Sequence, residues 1–489
     1  MKNKFIYGLA FLSLVTVSCT KDFDDMNIDK KRPIEAPAQA LFANAARELN
    51  RQVVTLNVNM NNLKLWSQYL TQTTYVDESN YLNSRNIPQS EWRIMYREIL
   101  KDLDEAKKYT LSETYLNDDK LVANEAARKN RLAILEVYNV YVYERLTSIF
   151  GNVPYSEALT ETNLPKFDDA QTVYEDLNKR LTAAIANLNV ADGSFDPGYD
   201  NLFEGDIAMW KKFAYGLKLK MAMTYADVDA SKAQALFNEA NGNVMTGTES
   251  ASYAFITSPP NTNPMWEDLV NSGRADYVAA NTIVDTMNAL SDPRIGKYFS
   301  PLVGTTTYVG GKYGSSNSFA KNSHIAPYFQ TQIQPTVLMN GVEMDFYLAE
   351  AAQRGWGGDA ATLYAAAIQA SMDSWGVPAA DAATYISSAG VDFATAGGTE
   401  LDKIGTQSWL ASFNRGLIGW TTYRRLDMKG KNGVNGDDLM NQAARTTELT
   451  PKRYTFPINE QTLNGTNYSA AKSAMGGDAL STKLWWDKN

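Results

Sequence analysis

Apolar residues recur at every third or fourth position over long stretches of this chain, which is the period of a helix buried on one side. One such stripe covers residues 173–188 and follows aspartates at 168–169, and a second covers residues 207–221 and follows Asp206. An aspartate before a helix accepts hydrogen bonds from its first N–H groups, so both stretches are predicted to begin with an N-cap. A third stripe, over residues 135–149, also carries apolar residues on its other faces, which predicts a central helix buried nearly all round.

The same spacing predicts further helices at residues 36–50, 58–73, 90–108, 230–240, 279–290, 343–354, 359–375 and 403–413. Several of them form pairs with short links, which favours stacked helical hairpins of the tetratricopeptide type, although the consensus repeat is absent. Residues 241–342 are rich in Gly, Pro, Ser, Thr and Asn, and residues 377–399 form a second irregular insert. The predicted fold class is mainly α: a helical scaffold with a loop-rich face and a few short strands.

Cys19 is the only cysteine, and it ends a segment with the pattern of a bacterial lipoprotein signal. A basic start precedes an apolar run over residues 5–17 that is too short to span a bilayer, and the small Ser18 stands directly before the thiol. An ordinary secretory signal with an incidental cysteine is the alternative, but an exported lone thiol has no disulfide partner, so we expect it to carry lipid. The predicted parts are a signal peptide over residues 1–18, a lipidated acidic tether over residues 19–34 and a single body over residues 35–489.

Composition argues against several functions. A net charge of -9 and a pI near 5.0 disfavour nucleic-acid binding, which needs clustered Lys and Arg. His324 is the only histidine, so with Cys19 assigned to lipid we expect no His/Cys metal cluster and no Cys–His catalytic pair. No nucleophile elbow or phosphate-binding loop is present either, and we predict no cofactor, no metal and no enzymatic activity. Paired carboxylates of the glycosidase kind stay open, because their spacing is spatial.

Ordered strings along the chain carry a family resemblance. The most informative, over residues 146–159, is a helix end followed by F-G-N-V-P-Y-S-E-A-L. The others are Pro165 to Asp168, Gly205-Asp206 with Trp210, Asn263 to Trp266, Asp292 to Arg294, Phe346 to Ala351, Gln407 to Trp409, Trp420 with Arg424-Arg425, Tyr454 to Pro457, and Leu484 to Asp487. Together they resemble the SusD/RagB family of outer-membrane nutrient-binding lipoproteins, in its second, SusD-like branch, with Asn152 in place of the family's aspartate. Most of these residues have structural spacing, and the tryptophans are expected in the core.

The resemblance implies a non-enzymatic lipoprotein of the outer membrane, lipid-anchored and facing the cell exterior of a Gram-negative bacterium. Such proteins capture oligosaccharide and pass it to a SusC-type TonB-dependent β-barrel transporter, which would be the partner here. Oligopeptide as cargo is an alternative that the sequence does not separate. A surface glycan hydrolase and a purely structural lid over the transporter are two further alternatives.

Candidate binding residues come from this chain alone, because ligand sites in the family lie in variable loops without a motif. Sugars present apolar C–H faces and many hydroxyls, so exposed aromatic rings among polar side chains suit them. Residues of this kind in irregular segments are Tyr75, Tyr81, Trp266, Arg274, Tyr308 and Tyr313. For each tyrosine the alternative is that it only fastens a loop to the body.

Overall fold

The computed structural model describes residues 37–112, 125–428 and 450–488. The predicted signal peptide, the tether and Cys19 lie outside the described residues and stay predictions. Within the described residues the fold is mainly α with a few short strands, as predicted.

The α-helices, numbered in chain order, are α1 (Ala38–Val54), α2 (Leu63–Trp66), α3 (Ile87–Arg93), α4 (Lys101–Leu111), α5 (Glu125–Phe150), α6 (Ala170–Asn187), α7 (Ile207–Tyr225), α8 (Ala230–Ala240), α9 (Pro264–Trp266), α10 (Asn281–Leu290), α11 (Ile295–Tyr298), α12 (Gly341–Gln353), α13 (Ala360–Ser374), α14 (Ala379–Ile386), α15 (Glu400–Ala411), α16 (Gly416–Leu426), α17 (Ile458–Leu463) and α18 (Gly465–Ala474). A π-helical segment, Ile94–Leu100, joins α3 to α4, and another, Glu267–Asn271, follows α9.

The strands form three two-stranded antiparallel pairs: β1 (Leu70–Gln72) with β3 (Tyr277–Ala279), β2 (Ser250–Tyr253) with β6 (Thr336–Asn340), and β4 (Phe299–Ser300) with β5 (His324–Ile325). In the first pair Leu70 lies opposite Ala279 and Gln72 lies opposite Tyr277. The β1–β3 pair therefore fixes the loop-rich middle of the chain to its N-terminal part.

The predicted caps and hairpins are present. The Asp169 carboxylate accepts a hydrogen bond from the N–H of Thr172 at the start of α6, and Asp206 accepts from Ala208 and Met209 at the start of α7. Helices α5 and α6, α7 and α8, and α12 and α13 pack as successive pairs, and α7 also contacts α6 and α12. Helix α5 is buried on nearly every face, as its sequence predicts.

The end of α5 shows why glycine follows it. Gly151 has a φ of 83°, in the left-handed region, and its N–H donates to the carbonyl of Thr147. A Cβ at this position would lie 2.3 Å from the terminal methyl of Met475. The left-handed backbone therefore favours glycine here, and a larger residue would in addition have to displace the end of the Met475 side chain.

The helix predicted over residues 58–73 is wrong for most of its length. Only α2 is helical there, and β1 follows it. Asparagine side chains compete with the helix, since Asn57 accepts from the N–H of Asn59 and Asn61 accepts from that of Leu63. Pairing with β3, some 200 residues later, then supplies hydrogen bonds that the local pattern does not reveal. The irregular insert expected over residues 377–399 likewise contains a helix, α14.

Candidate functional site

A cavity of about 440 Å³ opens beside the β1–β3 pair. It is lined by Asn57, Val58, Asn59, Gln72, Tyr75, Arg85, Asp268, Ser272, Arg274, Asp276 and Tyr277. One wall comes from residues 57–85, and the other comes from residues 268–277. We call it the tyrosine–arginine cavity, because it brings together the two sequence-predicted residues Tyr75 and Arg274.

Tyr75 and Arg274 stand at the exposed side of this cavity. Tyr75 is 63% exposed, so its ring faces water rather than the core. Arg274 is exposed as well, and its Nε donates to Asp276 Oδ2 at 2.5 Å. Thr73 fastens the two walls, since its N–H donates to the carbonyl of Asp276 and its hydroxyl to that of Ala275. The flexible side chains are thus held on a fixed backbone.

The floor of the cavity is a connected polar network around the buried Glu78. Gln72 Nε2 donates to Glu78 Oε2 at 2.6 Å, and Arg85 Nε donates to Glu78 Oε1 at 2.5 Å. Arg85 also reaches Asn59 Oδ1 at 3.0 Å, and the Gln72 carbonyl oxygen Oε1 accepts from the N–H and hydroxyl of Ser79. These bonds hold amide and guanidinium groups in place at the surface of the cavity, where they can meet the hydroxyls of a ligand.

The second wall carries a half-buried carboxylate, Asp268, whose charge acts on the buried amine of Lys64. Asp268 Oδ2 accepts from the Thr55 hydroxyl at 2.8 Å and from the N–H of Leu56 at 2.7 Å. Burial raises the pKa of Asp268 above its ordinary range. Lys64 donates to the carbonyl of Val54 at the end of α1, and burial lowers the pKa of Lys64 to about 7. Burial thus favours the neutral form of each group.

Two of the predicted aromatic platforms are in the core, so the expectation that they face a ligand is wrong. Tyr81 is 4% exposed and Tyr313 is 0% exposed. The Tyr313 hydroxyl donates to the carbonyl of Leu65 at 2.7 Å, and Gln68 Nε2 donates to the Tyr81 hydroxyl at 3.0 Å. Tyr81 follows a single 3-10 turn and has a φ of 61°, which turns its ring inward against Trp66.

The remaining two predicted residues lie outside the tyrosine–arginine cavity. Trp266 is half-buried at the end of α9, two residues before Asp268. Tyr308 is half-buried against the core, and its carbonyl accepts from Asn288 Nδ2 at 3.1 Å. A role in binding stays a prediction for both.

Most of the polar residues that line the tyrosine–arginine cavity were not predicted from the sequence. The missed residues are Asn57, Asn59, Gln72, Arg85, Asp268, Ser272 and Asp276. One signal was available: the run Asn57-Val58-Asn59-Met60-Asn61-Asn62 is a poor helix sequence and a good turn sequence. The other polar residues have no distinguishing pattern, because only the β1–β3 pairing brings them together.

The described residues contain no group of three or more His, Cys, Asp or Glu side chains placed to hold a metal ion. In the same part of the chain, no helix combines the length and the apolar character that crossing a membrane requires.

Comparison with known proteins identifies the family. Residues 30–457 match the model of the SusD-like family described as starch-binding and associating with the outer membrane, so the chain belongs to that family. Comparison with the curated proteins gives no significant match.

Solved structures agree with this assignment at the level of the fold. A chitin-binding SusD homologue from Flavobacterium johnsoniae is 24% identical, with a TM-score of 0.75 over 92% of this chain and 99% of that one. A SusD-like protein from Bacteroides thetaiotaomicron is 23% identical, with a TM-score of 0.75 over 93% of this chain and 99% of that one. A SusD homologue from Parabacteroides distasonis is 23% identical, with a TM-score of 0.75 over 92% and 98%.

Proposed function

We propose that this protein is a non-enzymatic lipoprotein of the outer-membrane surface, and that it captures oligosaccharides and delivers them to a TonB-dependent β-barrel transporter. The observation that carries the proposal is the tyrosine–arginine cavity, in which an exposed aromatic ring lies beside a floor of amide and guanidinium groups. A sugar ring offers an apolar face to such an aromatic side chain and hydroxyls to such a floor. Membership of a family described as starch-binding, and a chitin-binding neighbour in fold, support a glycan as cargo.

Binding by the cavity is tested with neutral hexasaccharides of glucose, N-acetylglucosamine, xylose and mannose, by calorimetry on protein that lacks residues 1–19. Replacing Tyr75 with alanine should weaken binding about tenfold, because an aromatic contact contributes on the order of 1–2 kcal/mol. The variant Tyr75→Phe keeps the ring and should bind nearly as wild type does.

Two controls separate binding from folding. Phe319→Ala removes an exposed aromatic ring outside the cavity and should leave affinity unchanged. Trp210→Ala opens a hole in the core, where the Trp210 ring is 0% exposed and its N–H donates to Asp200, and should lower the melting temperature by several degrees. Equal affinity of wild type and Tyr75→Ala for every sugar bound would refute the assignment of the site.

Oligopeptide cargo is the alternative within the same class. A peptide would be held through main-chain pairing with a strand edge or through apolar pockets. The lining of the tyrosine–arginine cavity is instead dominated by polar side chains. A parallel calorimetric series with unstructured hexapeptides decides the matter, and tighter binding of peptides than of any hexasaccharide would favour peptide cargo.

A glycan hydrolase is the rival from another class, because Asp268 and Asp276 both line the cavity. Both carboxylates are engaged, Asp268 with the Thr55 hydroxyl and the Leu56 N–H and Asp276 with Arg274. We therefore expect the hexasaccharides to stay intact during prolonged incubation. Release of reducing ends that is lost in Asp268→Asn would show an enzyme instead.

Anchoring and delivery are tested in the producing cell. Cys19→Ala should release a folded protein from the outer-membrane fraction, since Cys19 is the predicted site of lipid attachment. Deletion of the protein should reduce uptake of a fluorescent hexasaccharide that the purified protein binds. Normal fractionation of Cys19→Ala would contradict the anchor, and normal uptake by the deletion strain would contradict delivery.

A further inference from the structure

A second cavity, of about 410 Å³, lies at the β2–β6 pair and shares no lining residue with the tyrosine–arginine cavity. Its volume is within the range of small-ligand sites. Ser250 and Ser252 line it from one face of β2, two positions apart, and Tyr328 and Trp375 line it from another side. We call it the β2–β6 cavity.

Its aromatic side is a pair of rings at the surface. Tyr328 is 54% exposed, and its ring lies 5.7 Å from the ring of Trp375 at an angle of 75°. Trp375 is half-buried and is supported from behind by Tyr298 and Phe329. An exposed ring held by a partly buried one is a rigid apolar surface in water, which suits the C–H face of a sugar.

Its polar side contains a buried donor and a buried acceptor that have no hydrogen-bond partner among the described residues. Arg415 is 8% exposed and uses its terminal nitrogens on Asn340 Oδ1, the Leu338 carbonyl and Glu343, but its Nε finds no partner among the described residues. The neighbouring Asn414 has a φ of 68°, and its Oδ1 also lacks a partner there. Both residues line the cavity, and a buried polar atom without a hydrogen bond is costly, so a ligand whose hydroxyls reached these two atoms would remove that cost.

The chemistry of these groups selects the class of ligand. A hydroxyl both accepts and donates, so sugar hydroxyls match the Arg415 N–H, which donates, as well as the Asn414 oxygen, which accepts. Glu343 neutralises Arg415, and Asp373 also lines the cavity, so nothing here favours an anionic sugar. The β2–β6 pair presents side chains on its face, Ser250 and Ser252, whereas a peptide would pair with a strand edge.

We infer that the β2–β6 cavity is a second, independent binding site for a neutral sugar unit. The inference rests on the proposed function for the class of cargo and not on the tyrosine–arginine cavity. Two sites on one lipoprotein would let it hold one glycan at two points, or two glycans at once, so that avidity adds to the affinity of each site.

The test is hydroxyl-radical footprinting of the protein without residues 1–19, read by mass spectrometry, with the four neutral hexasaccharides as probes. At least one probe should protect Tyr328 and Trp375 from oxidation, both in wild type and in the double variant Tyr75→Ala/Arg274→Ala. In Tyr328→Ala, protection of Trp375 from oxidation should require a roughly tenfold higher probe concentration than in wild type. In Tyr328→Phe, the required concentration should be unchanged. The second variant is Trp375→Phe. Phenylalanine is chosen rather than alanine because Trp375 is packed against the core, where alanine would leave a hole.

The outcomes are distinguishable. Protection of Tyr75 without protection of Tyr328 and Trp375 overturns this inference and leaves the proposed function intact. Protection at Tyr328 and Trp375 that disappears in the double variant overturns the independence of the site. Protection at neither cavity overturns both proposals, and protection at the β2–β6 cavity alone supports this site and refutes the tyrosine–arginine cavity.

Discussion

Arg425 in the helical scaffold and Arg274 beside the tyrosine–arginine cavity each pair with a carboxylate, but the two pairs differ in how much water reaches them. Arg425 is buried, and its two terminal nitrogens donate to the two oxygens of Glu350 at 2.7 and 2.5 Å. Burial alone would raise the pKa of Glu350, but the charge and hydrogen bonds of Arg425 lower it, and with Arg354 they bring the pKa below its ordinary value. Arg274 lies in water, where its pair with Asp276 is screened.

The difference shows how one residue type serves two purposes. A buried, two-point ion pair cannot be broken without leaving a charge in the core, so it locks α12 to α16. An exposed pair contributes little to stability, and the arginine can therefore exchange its partner for a ligand hydroxyl at small cost. The buried pair of Arg425 and Glu350 therefore fixes two helices of the scaffold to each other. The exposed pair of Arg274 and Asp276 leaves the arginine able to change its partner.

The largest expected effect is on the scaffold pair. Arg425→Met leaves the Glu350 carboxylate buried with Arg354 as its remaining cation, and should lower the free energy of unfolding by about 3 kcal/mol. Urea denaturation at pH 7 measures it. The same substitution at the cavity, Arg274→Met, is the matched control, and equal losses of stability in the two variants would contradict the contrast.

The next effect concerns Lys64, which lies between scaffold and cavity. Its pKa in the folded protein is about 7 against an ordinary 10.5, so the unfolded chain binds more protons between these values. The free energy of unfolding should therefore rise with pH across this window, by up to about 1.4 kcal/mol per pH unit from this group. Lys64→Met should lack that rise.

The measurement for Lys64 is a set of urea curves at pH 7, 8 and 9 for wild type and Lys64→Met. Between pH 7 and pH 9, the free energy of unfolding of wild type should rise by roughly 2–3 kcal/mol more than that of Lys64→Met. Parallel pH dependences of the two proteins would show that Lys64 keeps its ordinary pKa.

The smallest expected effect on stability is at the cavity. Arg274→Met should leave the free energy of unfolding nearly unchanged, because the pair that it breaks is exposed. Loss of the guanidinium should nevertheless weaken binding of the preferred hexasaccharide roughly tenfold, as calorimetry would show. Unchanged affinity would place Arg274 outside the binding site.

Local patterns were enough to predict most of the long helices of the scaffold. The aspartates at 169 and 206 cap their helices as expected, and the stripe over residues 135–149 is the buried central helix. Such elements are determined by their own sequence, through capping and periodic burial. The packing of α7 on α8 and of α12 on α13 follows from them, because the short links within these two pairs leave the helices few other places to pack.

The cavity could be predicted only in part. Tyr75 and Tyr81 stand in the same loop with similar neighbours, yet one faces water and the other is in the core. What separates them is the turn between them and the contact of Tyr81 with Trp66, which are tertiary facts. Tyr313 is buried for the same kind of reason, since its hydroxyl meets a carbonyl almost 250 residues earlier in the chain.

The pairing of β1 with β3 has a consequence for the order in which the molecule is assembled. The pair joins Leu70 to Ala279, so it closes a loop of about 200 residues, and such distant contacts form after local ones. An emerging chain can complete α1 and its neighbours long before the second wall of the cavity has been synthesised. The tyrosine–arginine cavity therefore forms only after β3 has paired with β1, and a fragment that ends before β3 would have helices but not this cavity.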